Sequence, residues 1–317
     1  MVDQSVALSL RLSAAGRQAD AVEAAMKAVQ GDPLELHPAG GDAGVNVAEP
    51  DQYLLGYREA EQDRLERQAQ ELRGDSHALF TQVGLTAGQS VVEIGCGPRG
   101  CLDLLADIVG PEGRVVGVER GDDAVARARR FVSNNGIGNV RVELGDGRDT
   151  GLPSNEFDLV STRLVLVNVP QPGELVAEAV RLVKPGGCVV YHEAVWPVHT
   201  YDPPLEAWDR LYEVVQAYAD RNGIDLFIGR RLPRLLREHG LVDIQSNAIT
   251  RVYPIDHGRR TLAPDFVENL GGRFVEQQLI DPDELEALTA SLRRHVEDPD
   301  TFVISCLYVQ AWGRKPS

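Results

Sequence analysis

Ser90-Val-Val-Glu-Ile-Gly-Cys-Gly-Pro-Arg-Gly100 is the stretch on which the reading of this chain turns. Val91 and Val92 open a short apolar run with β character, and Glu93 sets a carboxylate near its end. Gly95, Gly97 and Gly100 then turn the chain into a helix that starts near Leu102. A side chain in such a turn would block both the bend and the close approach of a ligand to backbone amides, which is why glycine is needed there. After one helix-length interval, Val115 to Val118 form a second apolar run that ends at Glu119. A glycine-rich turn after one strand and an acid after the next is a nucleotide-binding layout, and it serves several cofactors.

Outward from this stretch, helical and strand patterns alternate. Strands are expected at Ser90–Ile94, Arg114–Val118, Val140–Leu144, Phe157–Ser161 and Cys188–His192, with helices at about Cys101–Val109, Asp122–Asn134 and Glu174–Leu182. The last of these helices is stopped by Lys184-Pro-Gly-Gly187. Alternation of this kind predicts an α/β fold, a Rossmann-like, seven-stranded and mostly parallel sheet with helices on both faces. Beyond strand five the pattern becomes mainly helical, at Leu205–Asn222, Arg231–His239 and Thr261–Val296, the last broken at Gly271-Gly272 and Asp281-Pro282. Leu241–Tyr253 and Phe302–Trp312 supply the last two strands. Helices inserted there lie over the carboxyl edge of the sheet and read as a substrate cap. Upstream, Tyr53–Gly74 holds a charged amphipathic helix with Leu65, Ala69 and Leu72 on one face, and a further helix spans Ser76–Val83. Val6–Val29 is helical in pattern, and His37–Pro50 reads as a linker. The expected organisation is therefore an extension over 1–50, a ligand-binding core over 51–200, and cap helices with the last strands over 201–317.

Composition narrows the function classes. Hydrophobic content of 43% and charged content of 25% suit a soluble globular protein. No apolar run approaches the roughly 20 residues of a membrane span, and Met1-Val-Asp-Gln4 lacks the basic and apolar regions of a secretory signal, so a cytoplasmic location is expected. A formal net charge of -16 disfavours nucleic acid and anionic membranes, which require clustered Lys and Arg. Cys96, Cys101, Cys188 and Cys306 have no metal-binding spacing and read as buried apolar residues, so no metal is expected.

Three features bear on which nucleotide is bound. Glu93 sits two residues before Gly95, where a pyrophosphate would be repelled and a ligand with a positive charge, such as an amino acid ammonium, is favoured. Gly145-Asp-Gly147 follows strand three, where an adenine amino group can be hydrogen-bonded. Phe157-Asp-Leu-Val160 and Leu182-Val-Lys-Pro-Gly-Gly187 bracket strands four and five. With these motifs in order, the chain resembles the class I S-adenosylmethionine-dependent methyltransferases, densely over 53–191 and more loosely beyond. Within that superfamily it is similar to the ubiquinone/menaquinone-type (UbiE-like) and natural-product branch of small-molecule enzymes. In that branch the segment after strand four often carries a His where this chain has Asn168, within Arg163-Leu-Val-Leu-Val-Asn-Val-Pro170.

The resemblance implies S-adenosyl-L-methionine as cofactor. It places Glu93, Gly95 and Gly97 along the methionine part, Glu119 on the ribose hydroxyls, Arg120 beside the adenine and Asp146 with Gly147 at the adenine edge. Arg163 would face the methionine moiety or the acceptor, and Tyr53 or Arg64 would close the pocket. A base is needed only for an acceptor that arrives protonated. Candidates just past strand five are His192, Glu193 and His199, with His192 and Glu193 preferred. Trp196, Tyr201, Trp208 and Tyr212 either wall a flat acceptor or pack the cap. The expected function is methyl transfer to O, C or N of a small organic molecule in secondary metabolism. The alternatives are a non-methylating cyclase on the same fold and a nicotinamide-dependent oxidoreductase. A homo-oligomer through the N-terminal helix is a further expectation.

Overall fold

The computed structural model describes residues 59–317. The expected helix over 6–29, the linker over 37–50 and Tyr53 lie outside the described residues.

Val91 and Val92 are fully buried on opposite faces of their strand, so both sides of the sheet must be covered. The sheet has seven strands in the order β3-β2-β1-β4-β5-β9-β7. These are β1 (Ser90–Ile94), β2 (Arg114–Glu119), β3 (Val140–Leu144), β4 (Phe157–Arg163), β5 (Val183–Val195), β7 (Val242–Ile249) and β9 (Leu307–Arg314), while β6 (Thr200–Asp202) pairs with β8 (Phe302–Ile304) in a separate two-stranded sheet. β1 runs parallel to β2 with Val91 opposite Val115, and parallel to β4 with Val91 opposite Leu159. β9 is antiparallel to both of its neighbours.

One face buries Val92, Ile94, Val116, Val160, Val189 and Tyr191 against helices α5 (Pro172–Leu182) and α7 (Ile228–Glu238). The other buries Val91, Val115, Leu159 and Val190 against α2 (Arg73–Gln82), α3 (Leu102–Val109) and α4 (Asp122–Asn134). The period of two along each strand sorts these residues between the faces. A third apolar cluster belongs to the cap, where α6 (Glu206–Asn222), α8 (Leu262–Glu276) and α9 (Pro282–Glu297) close around Trp208, Leu211, Phe274 and Leu292. The chain leaves β1 towards β2 and β3 on one side and resumes at β4 and β5 on the other. That reversal opens a crevice beyond the carboxyl ends of β1 and β4, where ligands bind in open α/β sheets.

Several boundaries differ from expectation for local reasons. Gly271-Gly272 does not break the helix, because α8 runs through both. A Cβ at Gly271 would stand 2.7 Å from Leu285 Cδ2, so the missing side chain lets α8 approach α9 closely. Phe302–Trp312 is not one strand but two, divided at Ser305-Cys306. The turn expected at Lys184–Gly187 is part of β5, entered through a register shift opposite Phe157–Leu159.

Gly117, in the middle of β2, is in tight contact with the glycine-rich turn: a Cβ there would lie 2.9 Å from both Cys96 Sγ and Leu102 Cδ2. Gly117→Ala is therefore expected to destabilise the protein by about 1–3 kcal/mol through overpacking. Urea unfolding would show this as a lower midpoint at unchanged slope.

Candidate active site

The ends of β1 to β4 surround a cleft lined by Glu93, Gly95, Gly97, Glu119, Arg120, Asp146, Gly147 and Arg163. The fold thus brings together these eight residues singled out from the sequence. Gly97 takes a left-handed φ of 57°, and a Cβ on it would meet nothing within 4 Å, so its backbone faces open space. At Gly95 the crowding is real: a Cβ would fall 2.5 Å from Val165 Cγ2, on the loop after β4.

Glu119 ties the turn to the end of β2. Its Oε2 accepts from Gly97 N at 3.0 Å, and its Oε1 accepts from Arg120 N at 2.9 Å and Gly121 N at 3.0 Å. Carboxylate oxygens carry about four acceptor sites in all, so lone-pair capacity remains for a diol in the cleft. Asp146 accepts from Arg148 at its backbone N (2.8 Å), Nε (3.0 Å) and terminal guanidinium N (2.6 Å). Those side-chain bonds from Arg148 hold the Asp146 carboxyl below its ordinary range. Gly147 lies against the end of β1, where a Cβ would come 2.6 Å from Ile94 Cγ2.

Glu93 is 1% exposed, and both its oxygens accept from Cys101 N, at 3.0 and 2.8 Å. Cys101 directly precedes α3, so this carboxylate caps a helix N-terminus, where negative charge is favoured. Burial pushes the Glu93 carboxyl up to about 7, against the opposing pull of the nearby Arg163 guanidinium and the Cys101 amide. Arg163 donates to Ser76 Oγ at 3.0 Å. Glu93 and Arg163 thus put a buried acid and a cation on the wall of one cleft.

Gln62, on α1 (Glu59–Glu71), is a site residue that the sequence reading missed. It lines the same cleft at 1% exposure, and neither its amide nitrogen nor its amide oxygen has a hydrogen-bond partner among the described residues. A buried, unpaired amide costs on the order of 1–3 kcal/mol until a ligand satisfies it. The signal was present: Gln62 extends the Leu65–Ala69–Leu72 row by one helical step of three. Arg64, expected over this cleft, instead pairs with Glu61 at 2.7 Å and lines a second cavity.

That second cavity is bounded by Trp196, Tyr218, Phe266 and Leu270. It shares Leu65, Gln68, Leu164 and Asn168 with the cleft. Of the four candidate wall aromatics, only Trp196 lines it. Tyr201 stacks on Trp208 at 4.9 Å, and Trp208 and Tyr212 tilt against each other within the cap cluster.

The two preferred base candidates line neither cavity. His192 is 2% exposed, packs edge-on against Tyr308 at 5.6 Å, and leaves both ring nitrogens without partners. Burial, with Arg163 and Arg259 nearby, pushes its pKa down to about 3. Glu193 has no exposure, and its carboxylate accepts from the backbone N–H groups of Val165 (2.8 Å), Leu166 (2.8 Å) and Val167 (3.4 Å). Burial raises the Glu193 pKa to about 7 despite those bonds. Glu193 thereby pins the turn that carries Leu164, at a left-handed φ of 57°, and Asn168 between the two cavities. In this structure Glu193 holds backbone, and His192 is enclosed in packing. His199 is also buried, and its pKa falls to about 4 for the same reason. Among the described residues no cluster of His, Cys, Asp and Glu has metal-holding geometry, and no helix is long and apolar enough to cross a membrane.

A family model described as a methyltransferase domain matches residues 85–249, more than half of the chain and the whole of the glycine-rich turn, Glu119 and the Glu193 region. The chain belongs to the S-adenosylmethionine-dependent methyltransferases. Among curated relatives, this methyltransferase is 37% identical over 169 residues to an uncharacterized 37.1 kDa protein in transposon TN4556 of Streptomyces fradiae, covering 53% of this chain and 46% of that one. It is 27% identical over 190 residues to the demethylmenaquinone methyltransferase of Geobacillus kaustophilus, covering 54% and 79%. It is 31% identical over 130 residues to the nocamycin O-methyltransferase of Saccharothrix syringae, covering 41% and 45%. The chain thus spans about half the length of most of the curated relatives it matches. The cofactor is S-adenosylmethionine, and the cleft fits it on its own terms: acceptor capacity at Glu119, opposite charges at Glu93 and Arg163, and an unsatisfied amide at Gln62.

His192 makes stability depend on pH. The unfolded chain takes up a proton below the ordinary histidine range, whereas the folded protein does so only near pH 3, so the stability from this group is present above about 6.5 and is lost as pH falls. Glu93 and Glu193 act in the opposite sense, losing stability as pH rises from the usual carboxylate range towards 7. In His192→Gln the histidine contribution is removed and the other two remain. Between pH 7 and pH 5 the variant is expected to lose about 2 kcal/mol less than the wild type in paired urea titrations.

Proposed function

We propose that this methyltransferase transfers a methyl group to a small apolar organic acceptor held in the second cavity. One observation carries the reading: the cofactor cleft and the cap cavity meet along Leu65, Gln68, Leu164 and Asn168. An acceptor held against the cap would face the cleft across that shared wall. The concave shape and largely apolar lining speak for a small molecule over a macromolecule, and the charge of -16 speaks against nucleic acid. Two relatives, a nocamycin O-methyltransferase and a demethylmenaquinone methyltransferase, support a small-molecule acceptor, and the first of them a role in specialised metabolism.

When bound, the cofactor supplies a sulfonium-activated methyl group with a neutral thioether as leaving group. The protein's part is alignment and exclusion of water. Glu119 would hold the ribose hydroxyls, and Asp146 and Gly147 would meet the adenine edge. Glu93 and Arg163 would take the ammonium and carboxylate of the amino acid end, with Gln62 closing over them from α1. Glu193 fixes the 164–168 turn and so sets the passage between the cavities. Positioning of this kind is worth up to roughly 7–11 kcal/mol.

Calorimetric titration tests the assignment. The wild type is expected to bind S-adenosylmethionine at one site and to give no heat with NAD. Glu119→Ala should weaken binding by at least about tenfold, the loss of charge-assisted hydrogen bonds, and Gln62→Ala by several-fold. Unchanged affinity in Glu119→Ala would refute the proposed orientation. Label carried from methyl-tritiated cofactor into the organic extract of a panel of phenols and quinols then reads out transfer.

A further inference from the structure

We propose that Arg259 anchors the acceptor, and that the cap cavity accordingly takes an apolar molecule bearing one anionic oxygen group: a carboxylate, enolate or phenolate. The inference rests on the methyltransferase reading of that cavity and goes further by naming the acceptor's charge.

Four charged side chains line the cavity: Glu61, Arg64, Arg259 and Asp265. Three of them are matched within the protein. Arg64 grips Glu61 through Nε at 2.8 Å and a terminal nitrogen at 2.7 Å. Asp265 lies 2.7 Å from Arg293 and accepts from Thr261 Oγ1 at 2.9 Å. Arg259 differs. Its Nε donates to Tyr253 Oη at 3.1 Å, a terminal nitrogen donates to Tyr308 Oη, and the other terminal nitrogen reaches Gln68 Oε1 only at 3.5 Å. These partners are all neutral. Its ion-pair partner, Glu71, stands at 3.6 Å, beyond hydrogen-bond reach, and is not part of the cavity wall. Yet the Arg259 side chain is only 5% exposed.

A guanidinium removed from water costs several kcal/mol unless an anion and well-placed acceptors offset it. Here neutral hydroxyls take its close hydrogen bonds, and its one ion pair, with Glu71, is a long one on the side away from the cavity lining. The two tyrosines use two of its five N–H donors and fix the plane of the fork, which suits a carboxylate or enolate oxygen. The surroundings strengthen any such pair: Trp196, Phe266, Leu262 and Leu226 make much of the wall apolar, and attraction between charges grows as water is excluded. Gln68, which touches Arg259, also lines the cofactor cleft, so the anchored end of the acceptor lies near the passage between the cavities. An acceptor ionised before it binds would also need no base, in keeping with the enclosed positions of His192 and Glu193.

The test uses two probes of one shape, 2-naphthoate and 2-naphthamide, titrated calorimetrically into the full chain saturated with S-adenosylhomocysteine. The wild type is expected to bind the naphthoate at least about tenfold more tightly than the amide. Arg259→Gln should erase that preference while leaving naphthamide affinity unchanged, and Arg259→Lys should retain part of it. Equal affinities in the wild type, absence of naphthoate binding, or a preference that survives in Arg259→Gln would each overturn the proposal. The wild-type comparison needs no variant, so it stands even where Arg259→Gln does not fold. Failure to bind S-adenosylhomocysteine would instead strike the cofactor reading, which separates the two.

Discussion

Glu193, with no exposure to solvent, accepts hydrogen bonds from the backbone of Val165, Leu166 and Val167, and much of the site depends on that interaction. The loop after β4 must leave the sheet through a left-handed residue, Leu164, and such backbone persists only where its surroundings over-determine it. The buried carboxylate does this by giving successive amides an acceptor that water cannot supply. The same device recurs at the other strand ends. Glu93 receives the amide of Cys101 at the start of α3, and Glu119 gathers those of Gly97, Arg120 and Gly121. Three acids at the carboxyl ends of β1, β2 and β5 thus hold the turns from which the ligand cleft is made.

These acids combine holding and recognition to different degrees. Glu119 keeps unused acceptor capacity and partial access to the cleft, so it can do both. Glu93 is capped by backbone and raised by burial, with Arg163 close enough to counter that rise. Burial and that guanidinium therefore set its charge state together. Glu193 faces backbone alone and lines neither cavity, so its influence on an acceptor passes entirely through the loop it secures.

The cap has a separate logic. Its helices close on their own core around Trp208, Leu211, Phe274 and Leu292, so most of its aromatic residues serve cohesion. What remains for a ligand is a thin lining of side chains from several elements, with Arg259 as the cation whose counter-charge, Glu71, lies outside the cavity wall. Such a lining comes from loops and helix faces far apart in the chain, and no local motif announces it.

Motif and periodicity made legible those parts of the molecule whose physics is local. Apolar runs of period two or continuous burial marked the strands, glycines marked the turn that backbone geometry demands, and Glu93, Glu119 and Asp146 stood at strand ends where a ligand is met. The sequence by itself therefore determined the α/β architecture, the cofactor cleft and the family. Tertiary structure alone decided what depends on neighbours distant in the chain. Gly271 is a contact with Leu285 and not a break, because another helix packs there. His192 and Glu193 have the composition of a catalytic pair, but packing over β5 encloses one and commits the other to backbone amides. Gln62 and Arg259 are ordinary polar residues on helical segments until folding buries them with their hydrogen-bonding or charge demands incompletely met. Burial and partnership are properties of the assembled chain, and they separate residues that hold the site together from those left to meet a ligand.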